Sequence, residues 1–463
     1  MRKKLNQLGY LGWIIGVSAL ILFGCSSLRH ELFQSNAFDL GIFDQAVYLI
    51  SQGQPPISSF IGFHILGDHA AWIFYPLALL YKIYPSVYWL FAVQAAALAL
   101  GALPTWHLAR QAGLKENQAI AVVFVYLLQP LLFNANLFDF HPEVIAVPLL
   151  LAAVLAARLD RLGWFCLSIF PVLGCKEVLP LTVAGMGVWL LLFEKRRLYG
   201  AIAICAGVAW FLIATQVIIP YFNSAEATAL LRYSYLGNSV LDIAKNIIFK
   251  PGLILGRVFS LDNLEYLVLL LAPVIWALSP QGIKPLVGAI PCLALNILAN
   301  YPPQKNLIHQ YSVPALPFLV LAVISSLTAG RGWLPNKRAI ILWSLVGFLS
   351  LAKFPHFGGK YLKSIDTWQA TKQAIAQIQT KGSVYTTAEI CPHLSHRKLI
   401  TFTTSDSPPA DLNTYNYVLL NVRHPGWSNS QEFTANLANQ LKNNQGFQLK
   451  YQRDDVYLFV KVA

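Results

Sequence analysis

Most of the residues that could do chemistry in this chain lie in five short motifs. Carboxylates and imidazoles can act as general bases towards a hydroxyl group, and together they can hold a hard divalent cation. Lysine supplies a compact positive charge to phosphate oxygens. The motif residues are, in chain order, Asp39 and Asp44 in FDLGIFDQ, Asp68 and His69 in GDH, Asp139, His141 and Glu143 in FDFHPE, Lys176 and Glu177 in CKE, and Lys305, His309 and Tyr311 in one later segment.

The composition indicates that a lipid bilayer is the main solvent of the chain. Hydrophobic residues make up 56% of its 463 residues and charged residues only 12%, against roughly 25% charged in ordinary soluble proteins. The net charge of +13 does not indicate nucleic-acid binding, because the basic residues are scattered between apolar runs rather than clustered on one polar face. The composition therefore excludes an ordinary soluble enzyme.

Apolar length predicts a bundle of about eleven membrane helices, since one span needs roughly 20 mainly apolar residues. The stretch 70–84 is short, aromatic and interrupted by Pro76, so it is predicted to be an interfacial or re-entrant helix. The eleven predicted spans are 10–28, 86–108, 117–135, 143–158, 163–176, 178–193, 198–220, 263–279, 284–300, 311–329 and 338–354.

The basic residues predict the orientation of this bundle. Lys and Arg are concentrated in alternate connections, beginning with Arg2, Lys3 and Lys4, and such connections usually lie in the cytosol. All five motifs then fall on the opposite side. Because ionisable groups near the bilayer usually mark a pathway or a site, we expect these motifs to share one cavity at the lipid surface, where a base and cations could move a sugar from a lipid phosphate.

The composition and residue pattern after residue 354 predict a small α/β domain outside the cytosol. Helices are predicted at 366–381 and 430–443, and strands at SVYTTA, KLITFT, NYVLLNV, GFQLKY and VYLFVK. The predicted domains are therefore 1–354, which includes an outer loop at 29–85, and 355–463.

The motifs FDLGIFDQAVY, GDHAAW, FDFHPE and the CKE junction resemble the domain-of-unknown-function 2079 family of bacterial polytopic membrane proteins. The similarity runs from about residue 36 to the end of the chain. This family in turn resembles the GT-C glycosyltransferase superfamily. That resemblance implies a multi-pass protein of the bacterial inner membrane, which transfers a sugar from a polyprenyl-phosphate donor on the periplasmic or equivalent face.

The resemblance also implies roles for the motif residues. Asp39 corresponds best to the catalytic acid of the superfamily's first outer loop, with Asp44 second. The other roles follow from chemistry: Asp139, His141 and Glu143 would shape the acceptor or metal site, and the remaining motif residues would bind substrate, with Lys176 and Lys305 on the lipid phosphate. No Asp-X-Asp or Glu-X-Asp pair occurs in the first outer loop, so a divalent metal ion remains an open possibility.

Other interpretations remain open at the level of sequence. Asp39 and Asp44 could cap or solvate a helix, and Lys176 with Glu177 could form a structural ion pair. The whole chain could instead be a transporter or flippase, although transporters usually show repeated halves and charges at the bilayer midplane. A non-catalytic assembly protein of the cell envelope is a third possibility.

Overall fold

The structure, a computed structural model, describes residues 2–223, 230–280, 282–334, 336–405 and 411–462, with side chains from residue 9 onwards. The side chains of Arg2, Lys3 and Lys4, which enter the predicted orientation, lie outside the described part. The helices of the first half are α1 (Arg2–Glu31), α2 (Ile42–Ser51), α3 (Leu66–His69), α4 (Phe74–Ile83), α5 (Tyr88–Leu100), α6 (Ala102–Gln111), α7 (Glu116–Leu127), α8 (Pro130–Leu137), α9 (Glu143–Arg158), α10 (Leu162–Leu173), α11 (Leu179–Leu192), α12 (Arg197–Ile213) and α13 (Ile219–Phe222).

The second half continues the helical bundle and ends in a sheet. Its helices are α14 (Val240–Phe249), α15 (Pro251–Val258), α16 (Leu261–Leu271), α17 (Ile290–Leu298), α18 (Leu316–Thr328), α19 (Lys337–Leu351), α20 (Ile365–Ala376) and α21 (Gln431–Lys442). Its strands are β1 (Val384–Thr386), β2 (Ile400–Phe402), β3 (Tyr417–Asn421), β4 (Phe447–Arg453) and β5 (Val456–Lys461).

Each predicted span coincides with a helix or with two consecutive helices. In the described part, five helical segments are long and apolar enough to cross a membrane, or up to seven if two bent helix pairs each form one span. The count of eleven therefore stays a prediction. The helix predicted at 70–84 is α4, which has ten residues.

The predicted span 86–108 is divided into α5 and α6 at Gly101. A Cβ atom at this position would lie 2.1 Å from the Tyr126 hydroxyl oxygen, and that hydroxyl donates a hydrogen bond to the Leu98 carbonyl oxygen at 2.6 Å. Only glycine leaves room for this side chain. The close approach fixes α7 against the end of α5.

The chain divides into two compact units, which are described separately. Unit 1 comprises 1–24, 66–73 and 92–354, and unit 2 comprises 25–65, 74–91 and 355–463. Unit 1 contains most of the helical bundle. Unit 2 joins the first loop region to the carboxyl-terminal segment.

The sheet of unit 2 has the strand order β2-β1-β3-β5-β4. Strand β1 pairs in parallel with β2 and β3, while β5 is antiparallel to β3 and β4. One face packs on α21 through a core that includes Val418, Leu420, Leu437, Leu441 and Phe459. The five strands and two helices predicted for this segment are confirmed.

Candidate functional site

Four ionisable side chains of unit 1 form what we call the charged cluster: His69, Glu143, Lys176 and Glu177. Lys176 Nζ lies 2.6 Å from Glu143 Oε1, and both side chains are less than one-tenth exposed. His69 Nδ1 lies 3.0 Å from Glu177 Oε2. Since Lys176 and Glu177 are neighbours in sequence, the two ion pairs are covalently linked.

Helix α3, which carries His69, lies close to the end of α13. A Cβ atom at Gly67 would lie 2.9 Å from the Phe222 carbonyl carbon, so the GDH motif requires its glycine for this approach. Asp68 also contacts His69, with its Oδ2 atom 3.4 Å from Nε2. His69 therefore lies between two carboxylates.

The second half of the cluster is supplied by the turn between α8 and α9, which holds the FDFHPE motif. Asp139 has a φ of 76°, a left-handed conformation that aspartate tolerates better than most residues. The Gln94 amide donates to the Asp139 carbonyl oxygen at 3.0 Å and accepts from the His141 backbone N–H at 3.1 Å. Gln94 thus fixes the turn that begins α9 at Glu143.

Electrostatics favour the charged forms of two groups that lie outside the predicted membrane spans, His69 and Glu177. Burial lowers the pKa of His69, but Asp68 and Glu177 raise it by more, so its pKa lies above the ordinary value. Burial raises the pKa of Glu177, but His69 and Lys176 lower it by more, so it lies below the ordinary value. Each group is therefore stabilised as an ion by its neighbours.

An aromatic ring connects the cluster to a second cation. Lys176 Nζ lies 5.6 Å and Arg232 Cζ 5.3 Å from the centre of the Tyr311 ring. Arg232 also lies 4.5 Å from the centre of the Tyr301 ring, and it donates to the Gln304 side-chain oxygen at 3.2 Å. Two cations consequently share one aromatic side chain, a favourable contact for both.

The remaining predicted residues of unit 1 lie beside this group or apart from it. His309 packs edge-on against Phe138 at 4.1 Å, and Phe138 stacks on His141 at 5.4 Å. Lys305 is half-buried at the end of a 3₁₀ helix, Pro302–Lys305, and within the described ranges no hydrogen bond or ion pair joins it to the charged cluster. Its role as a phosphate ligand stays a prediction.

Asp39 and Asp44 lie in unit 2 and differ in environment. Asp39 is half-buried on a π-helical turn, Ala37–Gly41. Asp44 is fully buried and accepts hydrogen bonds from the hydroxyls of Tyr81 and Ser395, and His396 Nε2 lies 3.1 Å from its Oδ2 atom. Asp44 thus joins the FDLGIFDQ motif to the carboxyl-terminal segment.

No three His, Cys, Asp or Glu side chains in the described ranges are grouped so as to hold a metal ion. The predicted residues Asp139, His141 and Glu143 lie on one turn, but the structure gives the Glu143 carboxylate a lysine as its partner. Among the described residues, the FDFHPE turn therefore provides no set of three ligands for a metal ion.

Sequence reasoning missed Gln94, Tyr81, Ser395 and the contact between Arg232 and Tyr311. Gln94 lies inside an apolar helix, FAVQAAALAL, and an amide at such a position could have been recognised as a buried hydrogen-bonding group. Ser395 and Tyr81 carry no comparable signal, because each approaches Asp44 only in the folded chain.

The architecture defines a membrane helical bundle with a small carboxyl-terminal α/β domain, as in the GT-C type of fold. Two solved structures of ArnT from Cupriavidus metallidurans, one bound to undecaprenyl phosphate and one in the apo state, share it. Each has a TM-score of 0.59 with this chain, covers 98% of both chains, and is 12% or 11% identical in sequence. At that identity the likeness shows the fold alone, and it confirms the predicted fold class.

The chain belongs to the DUF2079 family of predicted membrane proteins, whose family model matches residues 29–458. The resemblance inferred from the motifs is therefore confirmed. No curated protein matches the chain.

Proposed function

We propose that this protein is a GT-C-type glycosyltransferase that moves a sugar from a polyprenyl-phosphate donor to an acceptor outside the cytosol. The observation that carries the proposal is the charged cluster, three of whose four side chains are buried, in an apolar chain with the fold of ArnT. Burying ions is costly and usually marks a functional site in membrane proteins. One ArnT structure is bound to undecaprenyl phosphate, which supports a lipid phosphate as the donor group.

The charge balance around Tyr311 supports binding of that phosphate. Lys176 is compensated by Glu143, whereas no carboxylate of the described residues lies within ion-pair distance of Arg232. The Lys176 ammonium has three N–H donors, and Glu143 accepts one of them. Lys176 and Arg232 together can therefore receive the negative charge that develops on the leaving phosphate.

Asp39 is the proposed general base. The acceptor hydroxyl oxygen forms a bond to the anomeric carbon of the sugar, its proton passes to the Asp39 carboxylate, and the bond from that carbon to the phosphate oxygen breaks. Asp44 accepts hydrogen bonds from two hydroxyls, so we assign it a positioning role instead. We assign Asp139 and His141 to the acceptor side, and Glu143 to the orientation of Lys176.

The proposed orientation follows the positive-inside rule. The amino terminus lies in the cytosol, and the segment 355–463 lies on the other side of the bacterial inner membrane. That orientation places Asp39 on the side where polyprenyl-phosphate sugars would be used by an enzyme of this type.

Replacing Asp39 by Asn tests the proposal most directly. Purified protein in liposomes is supplied with a panel of undecaprenyl-phosphate-linked sugars and with a cell-envelope extract as the source of acceptors, and released undecaprenyl phosphate is measured. We expect Asp39→Asn to slow release by about 10²–10⁴-fold, the usual contribution of a general base.

The matched control is Asp454→Asn, which makes the same chemical change on the exposed turn between β4 and β5. This variant should release lipid phosphate at the wild-type rate. Full transfer by Asp39→Asn would remove Asp39 from the mechanism, and absence of release from every donor by the wild-type protein would contradict the proposed activity.

A further inference from the structure

A cavity of about 240 Å³ lies within unit 2, between the end of α20 and the segment that precedes β2. Its polar lining comes from Gln379, Thr380, Lys381, His393, His396 and Arg397. Pockets for drug-sized ligands occupy roughly 300–1,000 Å³. The cavity is therefore suited to a small group rather than to a whole lipid or oligosaccharide.

Arg397 is a buried cation that has no carboxylate partner among the described residues. Its side chain is only 4% exposed, and its hydrogen bonds go to the backbone carbonyl oxygens of Leu394, at 2.6 Å, and Gly382, at 2.5 Å. A guanidinium has five N–H donors, so three remain for another ligand. Burial lowers the pKa of Arg397 to about 10, which leaves it charged at neutral pH.

Lys381 adds a second cation at the rim of the same cavity. Its Nζ atom lies 5.5 Å from the centre of the Tyr48 ring, and burial together with Arg397 lowers its pKa. Across the described residues, no carboxylate forms an ion pair with Lys381 or with Arg397. A second positive charge beside the buried Arg397 guanidinium is unfavourable unless an anion completes the site.

The histidines of the lining are fixed by other contacts. His396 stacks on Tyr48 with 4.7 Å between ring centres and contacts Asp44. His393 stacks on His30 with 3.9 Å between ring centres, and burial lowers its pKa to about 4, so it is neutral at pH 7. The Asp44 carboxylate is thus occupied by His396 and two hydroxyls, and it acts on Lys381 only at longer range, without an ion pair.

We propose that this cavity binds a phosphate group, with Arg397 and Lys381 as its cationic ligands. Arginine donates two parallel hydrogen bonds to phosphate oxygens, and lysine adds a point charge. The phosphate could be a free ion or the end group of a lipid, which present the same chemistry. The site shares no residue with the charged cluster of unit 1, and its existence does not depend on sugar transfer.

The test uses full-length protein in nanodiscs of phosphatidylcholine and titrates inorganic phosphate by calorimetry. We expect saturable binding, weakened at least about tenfold by Lys381→Gln and by Arg397→Gln, because each removes a charge-assisted hydrogen bond. Lys363→Gln changes an exposed lysine of the same unit outside the cavity lining, and this control should bind phosphate as the wild type does.

Lys381 is exposed, so Lys381→Gln keeps the test valid even if Arg397→Gln fails to fold, which thermal unfolding would show. Nanodiscs that contain phosphatidic acid distinguish the two sources: a lost phosphate isotherm identifies a lipid headgroup, and an unchanged one identifies a soluble phosphate. Absence of phosphate binding by the wild type, or identical isotherms for the wild type and Lys381→Gln, would overturn the proposal.

Discussion

Two buried carboxylates of this protein each contact a histidine, but their surroundings differ. In unit 1, Glu177 contacts His69 at 3.0 Å. Two further ions adjoin this pair, since Asp68 contacts His69 and Lys176 precedes Glu177 in the sequence. In unit 2, Asp44 contacts His396 at 3.1 Å, and its other partners are neutral hydroxyls. The comparison indicates that the carboxylates of the charged cluster in unit 1 are stabilised by neighbouring positive charges, whereas Asp44 in unit 2 is stabilised mainly as a hydrogen-bond acceptor.

The largest effect should follow from Lys176→Met. The substitution leaves Glu143 buried without its cation, and removing one partner of a buried ion pair costs about 3–5 kcal/mol. Both the free energy of unfolding in detergent and sugar transfer should fall.

Lys245→Met is the matched control, since Lys245 is an exposed lysine of unit 1 and its removal should change neither quantity. Wild-type stability in Lys176→Met would show that the pair with Glu143 does not hold the cluster together. The comparison with unit 2 would then lose its basis.

A smaller effect is expected for Asp44→Asn. The Asn side chain has one acceptor oxygen, whereas the Tyr81 and Ser395 hydroxyls donate to two different oxygens of Asp44. The lost hydrogen bond should lower the free energy of unfolding by about 1–3 kcal/mol. Ser395→Ala, which removes one of these donors, should cost less. Sugar transfer by the folded fraction of Asp44→Asn should persist. An unfolding curve measured beside the transfer assay separates the effect on stability from the effect on activity. A stable but inactive Asp44→Asn variant would instead show that Asp44 takes part in the reaction.

The smallest effect concerns pH. Because the folded-state pKa of His69 lies above its ordinary value of 6.5, its stabilising contribution is fully present below pH 6.5 and is lost as the pH rises through the raised value. His69→Gln should therefore flatten the decrease in unfolding midpoint on the alkaline side of pH 6.5.

Asp68→Asn sharpens this measurement, since it removes one of the charges that raise the pKa of His69. The pH-dependent loss of stability should then be smaller and complete at a lower pH than in the wild type. Parallel curves for the wild type and both variants would show that His69 is not the titrating group.

The sequence was sufficient for the elements whose patterns are local. Strand β5 is a run of apolar and β-branched residues, and α9 begins and ends at the predicted residues Glu143 and Arg158. Helices α14 and α15 were missed, although Ser239 caps α14 and its apolar side chains recur at helical spacing. Their combined length and basic residues did not match the pattern of a membrane span.

The site was predictable only as a set of residue types. The CKE and FDFHPE motifs predicted that Lys176 and Glu143 would be important, but their pairing depends on how α9 and α11 pack. The Asp44 contacts with Ser395 and His396 join residues about 350 positions apart, and no local pattern encodes them. Tertiary packing therefore decided which predicted ions became neighbours.

The discontinuity of unit 2 has a consequence for biosynthesis. Its first segments end at residue 91, whereas Ser395 and His396 are translated about 300 residues later. At roughly 5–20 residues per second, that interval lasts about 15–60 s. Throughout that time, Asp44 of the nascent chain lacks its contacts with Ser395 and His396. Premature termination would therefore leave unit 2 incomplete, and membrane proteases could recognise the incomplete unit.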